Sequence, residues 1–499
     1  MKASQGVLAA LAGVFALCAQ SREPNVSGLK AYSLPAYTII THDEGAAGRI
    51  APQIASMERV LATLLKREVR ATGTPTYVYL VRGSVWNNYL QPGNGIIGEF
   101  VPARFANYLL LGGIADSSGL SEAISHEYTH YFLRTQFLGS CPLWFDEGMA
   151  KLMQNVRLRP GKAIVGMPPD SYRSSEWLPM KRLLRVNKSS REYLKEPDTF
   201  RVHQQSWAMV HKGVIDDPAF GAQMFTYLQA LVDQHPVDEA VAESFGLSVD
   251  ELGKKIEAYS YRSTFSAAQI EFDPPAPVAL GSGRELVELE ALESIANVMF
   301  DSGFNAARLA EVIEAAGKRA PNAASVRVLR MRLAARDRDD AALNQYLQDI
   351  KPGTAEQALA RGAGLALFER VREERPGDPL STTQRAAWNA LAFDLLDQSL
   401  AARPDDAEAA WGFGLLAAHL NRTPDLAMRR LERASELMPM NADLAMAKAL
   451  LCQTNGRSGE MISHLADTAR FSSSAEQRAW ALARIDAART ASRVAPLAK

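Results

Sequence analysis

The chain has 499 residues, of which 47% are hydrophobic and 22% charged, with a formal net charge of −1. That is enough apolar material for two or three domains with their own cores. A balance this close to neutral excludes the basic field of a nucleic-acid binder and the acidic excess of a disordered tail.

The first residues read as an export signal. Lys2 supplies a short positive region, and Gly6 to Cys18 is an uncharged apolar run followed by small residues and a polar turn at Gln20-Ser21-Arg22. The run is too short to span a bilayer comfortably and suits a cleavable leader over 1–21. The expected location is therefore periplasmic or secreted. Anchoring through a lipidated Cys18 is the minor alternative, because Leu17 stands where lipoprotein signals place a small residue. No later stretch is long and apolar enough to be a transmembrane helix. After cleavage only Cys141 and Cys452 remain, in what read as different domains, so no disulfide framework is expected.

Residues 36–42 alternate and are β-rich, which predicts a strand. Apolar residues at Ile50, Ile54, Met57, Val60, Leu61, Leu64 and Leu65 predict an amphipathic helix over 48–66. Residues 76–82 form a second predicted strand, a short helix falls within 83–97, and 98–103 and 106–114 read as paired strands. A helix then begins near Ser118 or Ser121, runs through Leu120, Ile124, Tyr128 and Phe132, and ends before Gly139. Cys141-Pro142 opens a second helix carrying Phe145, Met149, Leu152 and Met153. Residues 160–180 are a loop with a short strand at 163–167. From Phe200 to about Tyr261 the pattern is helical again.

Residues 273–283 hold three prolines and three small turn residues, and mark a linker. Beyond it the composition shifts to Ala, Leu, Arg and Asp, and helical patterns recur at 391–402, 406–420, 424–437 and 441–453. Pro404 and Pro439 sit in similar turns 35 residues apart. A helix pair repeating near 34 residues with a proline at the turn resembles tetratricopeptide repeats, whose units bury their apolar faces only by stacking on neighbours.

Residues 119–150 carry the chemistry. His126-Glu127-Tyr128-Thr129-His130 is an H-E-x-x-H. Two histidines four apart leave the same face of a helix, where their neutral imidazoles can bind one Zn²⁺. Glu127 stands beside them, in the position of a general base acting on metal-bound water. Glu147, 17 residues after His130, is the candidate third ligand. The break between Gly139 and Pro142 lets the second helix fold back and bring it to the metal, and Gly148 allows that helix to pack closely. Asp146 fits two roles equally: orienting a ligand histidine, or capping its helix and facing solvent.

His126-Glu127-Tyr128-Thr129-His130 followed by Trp144-Phe145-Asp146-Glu147-Gly148-Met149-Ala150 resembles the gluzincin metallopeptidases of the peptidase MA-like superfamily. The chain lacks the Gly-x-Met-Glu-Asn segment with which aminopeptidase N-like members bind a substrate's amino terminus. The resemblance implies an α+β zincin-like metallopeptidase domain over 30–272, a linker at 273–283, and an all-α, TPR-like repeat domain over 284–499. It implies one zinc per chain on His126, His130 and Glu147, with Glu127 as catalytic base. It also implies an oxyanion-stabilising residue, for which His203 in Arg-Val-His-Gln-Gln-Ser-Trp is the candidate. The strand at 106–114 would be the edge along which an extended peptide substrate lies.

Two expectations follow. The first is an exported zinc peptidase that hydrolyses peptide bonds through a zinc-activated water, with repeats that dock a protein partner. The second is a non-catalytic or weakly catalytic zinc-fold protein that acts as a periplasmic binding or assembly module through its repeats.

Overall fold

The computed structural model describes residues 23–93, 96–112, 117–137, 141–169, 177–372 and 378–494. The expected leader at 1–21 and Gly139 lie outside the described residues.

The N-terminal strands are β1 (Lys30–Ser33), β2 (Thr38–Thr41), β3 (Thr76–Val81), β4 (Gly98–Pro102) and β5 (Asn107–Gly112). They form a six-stranded mixed sheet in the order β4-β5-β3-β2-β1-β9, where β9 is Arg284–Glu285. β2, β3 and β5 run parallel, whereas β4 and β1 join antiparallel on either side. The parallel step from β2 to β3 requires a crossover, and helix α1 (Glu44–Leu65) supplies it. The Asp43 carboxylate caps that helix by accepting the Ala46 N–H at 2.8 Å.

Every residue of β5 is buried, so the sheet is covered on both faces. Ile39, Val78, Leu80, Leu109 and Leu111 point to one face and pack with Ile50, Ile54 and Leu61 of α1. Ile40, Tyr79, Val81 and Leu110 point to the other, where Trp86 and Tyr89 share a core with Leu292, Ile295 and Met299. Each such side chain, when fully buried, contributes about 1.5–3 kcal/mol relative to exposure.

On the first face lie helices α2 (Ser117–Gln136), α3 (Leu143–Gln154), α4 (Asp198–His211), α5 (Pro218–Val232), α6 (Val237–Phe245) and α7 (Val249–Ser260). A small antiparallel sheet of β6 (Arg157–Arg159), β7 (Lys162–Val165) and β8 (Ala268–Glu271) closes this region.

After β9 the chain is helical. Helices α8 (Glu288–Ser302), α9 (Leu309–Arg319) and α10 (Ala324–Asp337) begin the series, and α8 and α9 lie on the second face of the sheet. It continues through α11 (Asp340–Leu347), α12 (Gln357–Arg372), α13 (Thr382–Ala402) and α14 (Ala407–Leu420). The last members are α15 (Pro424–Leu437), α16 (Ala442–Thr454), α17 (Ser458–Phe471) and α18 (Ala475–Val494). The turns holding Pro404 and Pro439 are followed by helices capped by Asp406, which accepts the Ala409 N–H, and by Asn441, which accepts Asp443 and Leu444 N–H. Phe368, Leu396, Trp411, Phe413 and Leu431 form one continuous core across the stacked pairs, as a repeat array requires.

The two halves are joined along a seam. In the β4–β5 turn, the Arg104 guanidinium lies 4.1 Å over the Trp411 ring and its carbonyl accepts the Asn441 side-chain amide at 2.7 Å. Tyr108 donates to Asp301 at 2.6 Å. Between sheet and repeats lies a cavity of about 1380 Å³, lined by Tyr77, Tyr108, Arg104, Asp301, Arg332 and Arg361 among others.

One strand expectation is corrected here. The edge of the main sheet on the site side is β4, and β5 lies second, between β4 and β3. The hairpin from 98 to 112 folds its first strand outward because β5, buried at every position, is the one that needs cover on both sides.

Candidate metal centre

Helix α2 carries Leu120, Ile124, Tyr128 and Phe132 in a buried stripe, each at most 4% exposed. Gln53 of α1 donates to Ser121 O at 2.7 Å and to the Ser125 hydroxyl at 3.0 Å, which fixes the rotation of α2. His126 and His130 then face α3, with their Nε2 atoms 3.2 Å apart.

Helix α3 is brought back by the segment around Pro142, whose carbonyl accepts the Phe145 and Asp146 N–H groups at 2.9 and 3.1 Å. Trp144, Phe145, Met149, Leu152 and Met153 are fully buried. Gly148 is where α3 meets α4: a Cβ there would stand 2.5 Å from the Ser206 carbonyl oxygen and from Val210 Cγ2. Because one of those atoms is backbone, the helices would have to separate. Gly148→Ala is therefore expected to destabilise the protein by about 1–3 kcal/mol and to displace Glu147 in the same step. Urea unfolding read beside metal content checks both.

Glu147 is 2% exposed. Its Oε2 lies 3.7 Å from the Nε2 atoms of both His126 and His130, and 3.1 Å from His203 Nε2. Its Oε1 accepts the Tyr193 hydroxyl at 2.7 Å. His203, on α4, is fixed through its Nδ1 against the Thr199 carbonyl at 2.8 Å. His130 Nδ1 lies 2.8 Å from Asp146 Oδ1. Held by Asp146 through Nδ1, the ring turns its Nε2 toward Glu147, which is how a carboxylate orients a ligand histidine.

The electrostatics follow from this crowding. Burial pushes the Glu147 carboxyl up, but His130 and His203 outweigh it and hold the group well below the usual carboxylate range. Burial and the neighbouring His130 hold His126 well below the ordinary imidazole value. Burial also opposes charge on His130, yet Asp146 and Glu147 carry it up to about 10. Glu127 is pushed up to about 8 by burial, with Glu99 and Glu147 adding to the effect, so its carboxyl is largely protonated at neutral pH.

Do these residues suit a metal ion? One nitrogen each from His126 and His130 and one oxygen from Glu147 lie within 4.8 Å of one another. The Nε2 atoms of His126 and His130 and the buried Glu147 Oε2 converge within 3.7 Å of one another. Two imidazole nitrogens and a buried carboxylate oxygen at one point form a donor set suited to zinc.

The structure thus brings together His126, His130, Glu147, Glu127 and His203. Tyr193 was missed. It lies in a single helical turn, Arg191–Leu194, that has no periodicity to betray it. A second grouping joins His464 to Cys452 and Glu460. Arg457 holds Glu460 at 2.8 Å, and Lys448 adds a second positive charge near His464, so the surroundings oppose a cation there.

No family model matches the chain, and no curated protein matches it. Among solved structures, the chain is similar to TTC0263, a thermophilic TPR protein of Thermus thermophilus. The identity is 16% and the TM-score 0.31, over 40% of this chain and 99% of that one. It is also similar to a mutant of MamA, at 16% identity and a TM-score of 0.26, over 37% of this chain and 97% of that one.

The expectation of a gluzincin peptidase is corrected by these findings. No peptidase family model matches the chain, and the enzyme class, the hydrolase description and the zincin-like label go with the correction. The physical reason is that H-E-x-x-H with a later glutamate specifies a set of metal donors. A donor set does not specify a reaction. What stands is a mostly helical protein with repeated helix pairs and a small N-terminal mixed sheet. Among the described residues no helix is long and apolar enough to cross a membrane.

Proposed function

We propose that the chain is a protein-binding module in which the helical repeats receive a segment of a partner and the N-terminal domain is braced by one zinc ion. The observation that carries the reading is the cavity of about 1380 Å³ between repeats and sheet. Its lining sets tyrosines and arginines, types enriched where proteins recognise one another, beside acids that would pair with a basic segment of the partner. In the same reading the chain acts outside the cytoplasm after losing a leader over 1–21.

His126, His130 and Glu147 would hold the zinc, with Asp146 orienting His130. Bound there, the ion would tie α2 to α3 and give the buried Glu147 carboxylate a cationic partner. Because it binds the folded chain, it adds to stability by mass action.

A photo-crosslinking residue at position 77, inside the cavity, is expected to give a discrete adduct with a partner. The same residue at position 261, where Tyr261 is 64% exposed, is expected to give none. Equal labelling from both positions would sink the docking role. Metal analysis is expected to find one zinc per chain in the wild type and none in His126→Ala. In Asp146→Ala the metal should remain but bind about 10–100-fold more weakly. Unchanged affinity in that variant would remove Asp146 from the site.

A further inference from the structure

We propose that a second pocket, at the seam between the last turn of α2 and the end of the repeat array, binds a small oxyanion, a carboxylate or phosphate, through Arg134. The inference is independent of the metal reading.

Arg134 is partly buried in the last turn of α2. Among the described residues its guanidinium has no hydrogen bond, ion pair or ring contact. Asp443 and Asp146 act on it only from beyond ion-pair distance. A guanidinium carries five N–H donors and does not give up its charge in proteins. Part of the side chain reaches solvent and no described group pairs with it, so the fork is free to take an anion.

The pocket it lines has a volume of about 380 Å³. That is far more than the ~30 Å³ share of one water. Thr72, Thr74 and Asn107 line it from the sheet side, and Asn441, Ser473 and Gln477 from the repeats. Thr72, Thr74 and Ser473 offer hydroxyls to an oxyanion, whereas the Asn441 and Gln477 amides already donate to the Arg104 carbonyl and to Asp443. Asp443 is the one acid among the lining residues, and Arg104 Nε stands 3.5 Å from its carboxylate. Arg104 balances Asp443, which leaves the charge of Arg134 uncompensated. A carboxylate or phosphate meets the planar fork with two parallel charge-assisted bonds, which water cannot do. An anion held there would touch both halves of the chain at once.

The test uses the full-length protein, with calorimetric titration of inorganic phosphate and, separately, of succinate, each against sodium chloride at equal ionic strength. One of the two is expected to bind at one per chain, and which one names the ligand class. Arg134→Met should weaken that binding at least tenfold. In chloride alone it should unfold at or above the wild-type temperature, because an unpaired charge has gone. Arg134→Lys keeps the charge and loses the fork, and is expected to bind more weakly than wild type. The proposal is overturned if neither anion binds, or if Arg134→Met binds as tightly as wild type.

Discussion

Arg370→Ala is expected to lower the unfolding free energy by about 3–5 kcal/mol. Arg370 is a charged side chain in the core of the repeats, 1% exposed. It donates to both oxygens of Asp340, at 2.6 and 2.8 Å, and to both oxygens of Asp378, at 2.8 and 3.1 Å. Truncating it leaves two carboxylates facing an apolar void, which costs far more than the net value of the ion pairs. Arg338 and Arg385 also reach Asp378 and will recover part of the loss there. The pH dependence gives a second readout. The hydrogen bond from Arg370 is the foremost cause that holds the Asp378 carboxyl well below the usual carboxylate range. A depressed folded value contributes stability that is present above the unfolded value near ~3.9 and is lost as pH falls through the folded one. The gap between wild type and Arg370→Ala should therefore be widest at neutral pH and narrow below about pH 4. A gap independent of pH would assign the effect to packing alone.

Gly73→Ala is expected to cost about 2–5 kcal/mol. Two separate terms meet at this residue. Its φ is +69°, a conformation in which a Cβ is strained. A Cβ would also stand 1.6 Å from the Leu437 carbonyl oxygen, so the repeats would have to move off the loop before β3. Gly28→Ala separates the terms: Gly28 has φ +75° and open space around it, so it should show only the conformational part, about 1–2 kcal/mol. Urea midpoints of both variants check the difference. If the two cost the same, Gly73 is not the contact that sets the seam.

The legible parts of the sequence were those written in periods and spacings. The β-rich runs of β2 and β3, the stripe of α1 and the recurring helix pairs with Pro404 and Pro439 all come from extended burial of apolar side chains, which leaves a pattern. The placing of His126, His130 and Glu147 was legible because an i,i+4 pair shares a face and because Gly148 signals a close helix approach. Tyr193 was not, since a single turn has no period. Neither was β1 nor β9, each at most four residues long. The peptidase reading failed at another level. The motif fixes which atoms converge, and convergence alone leaves open what the site does with a substrate.

The two residues of β9 carry a consequence for how the chain behaves as a whole. Lys30 and Ala31 pair with Glu285 and Arg284, so the strand that closes the N-terminal sheet is delivered only after the linker. Severing the chain at residue 283 would strip β1 of its neighbour and expose the apolar face that Leu292, Ile295 and Met299 cover. An unpaired strand edge beside bare apolar surface is a template for aggregation. Residues 284–302, made well after β1, thus hold the cover for the N-terminal sheet, and that sheet should melt together with α8.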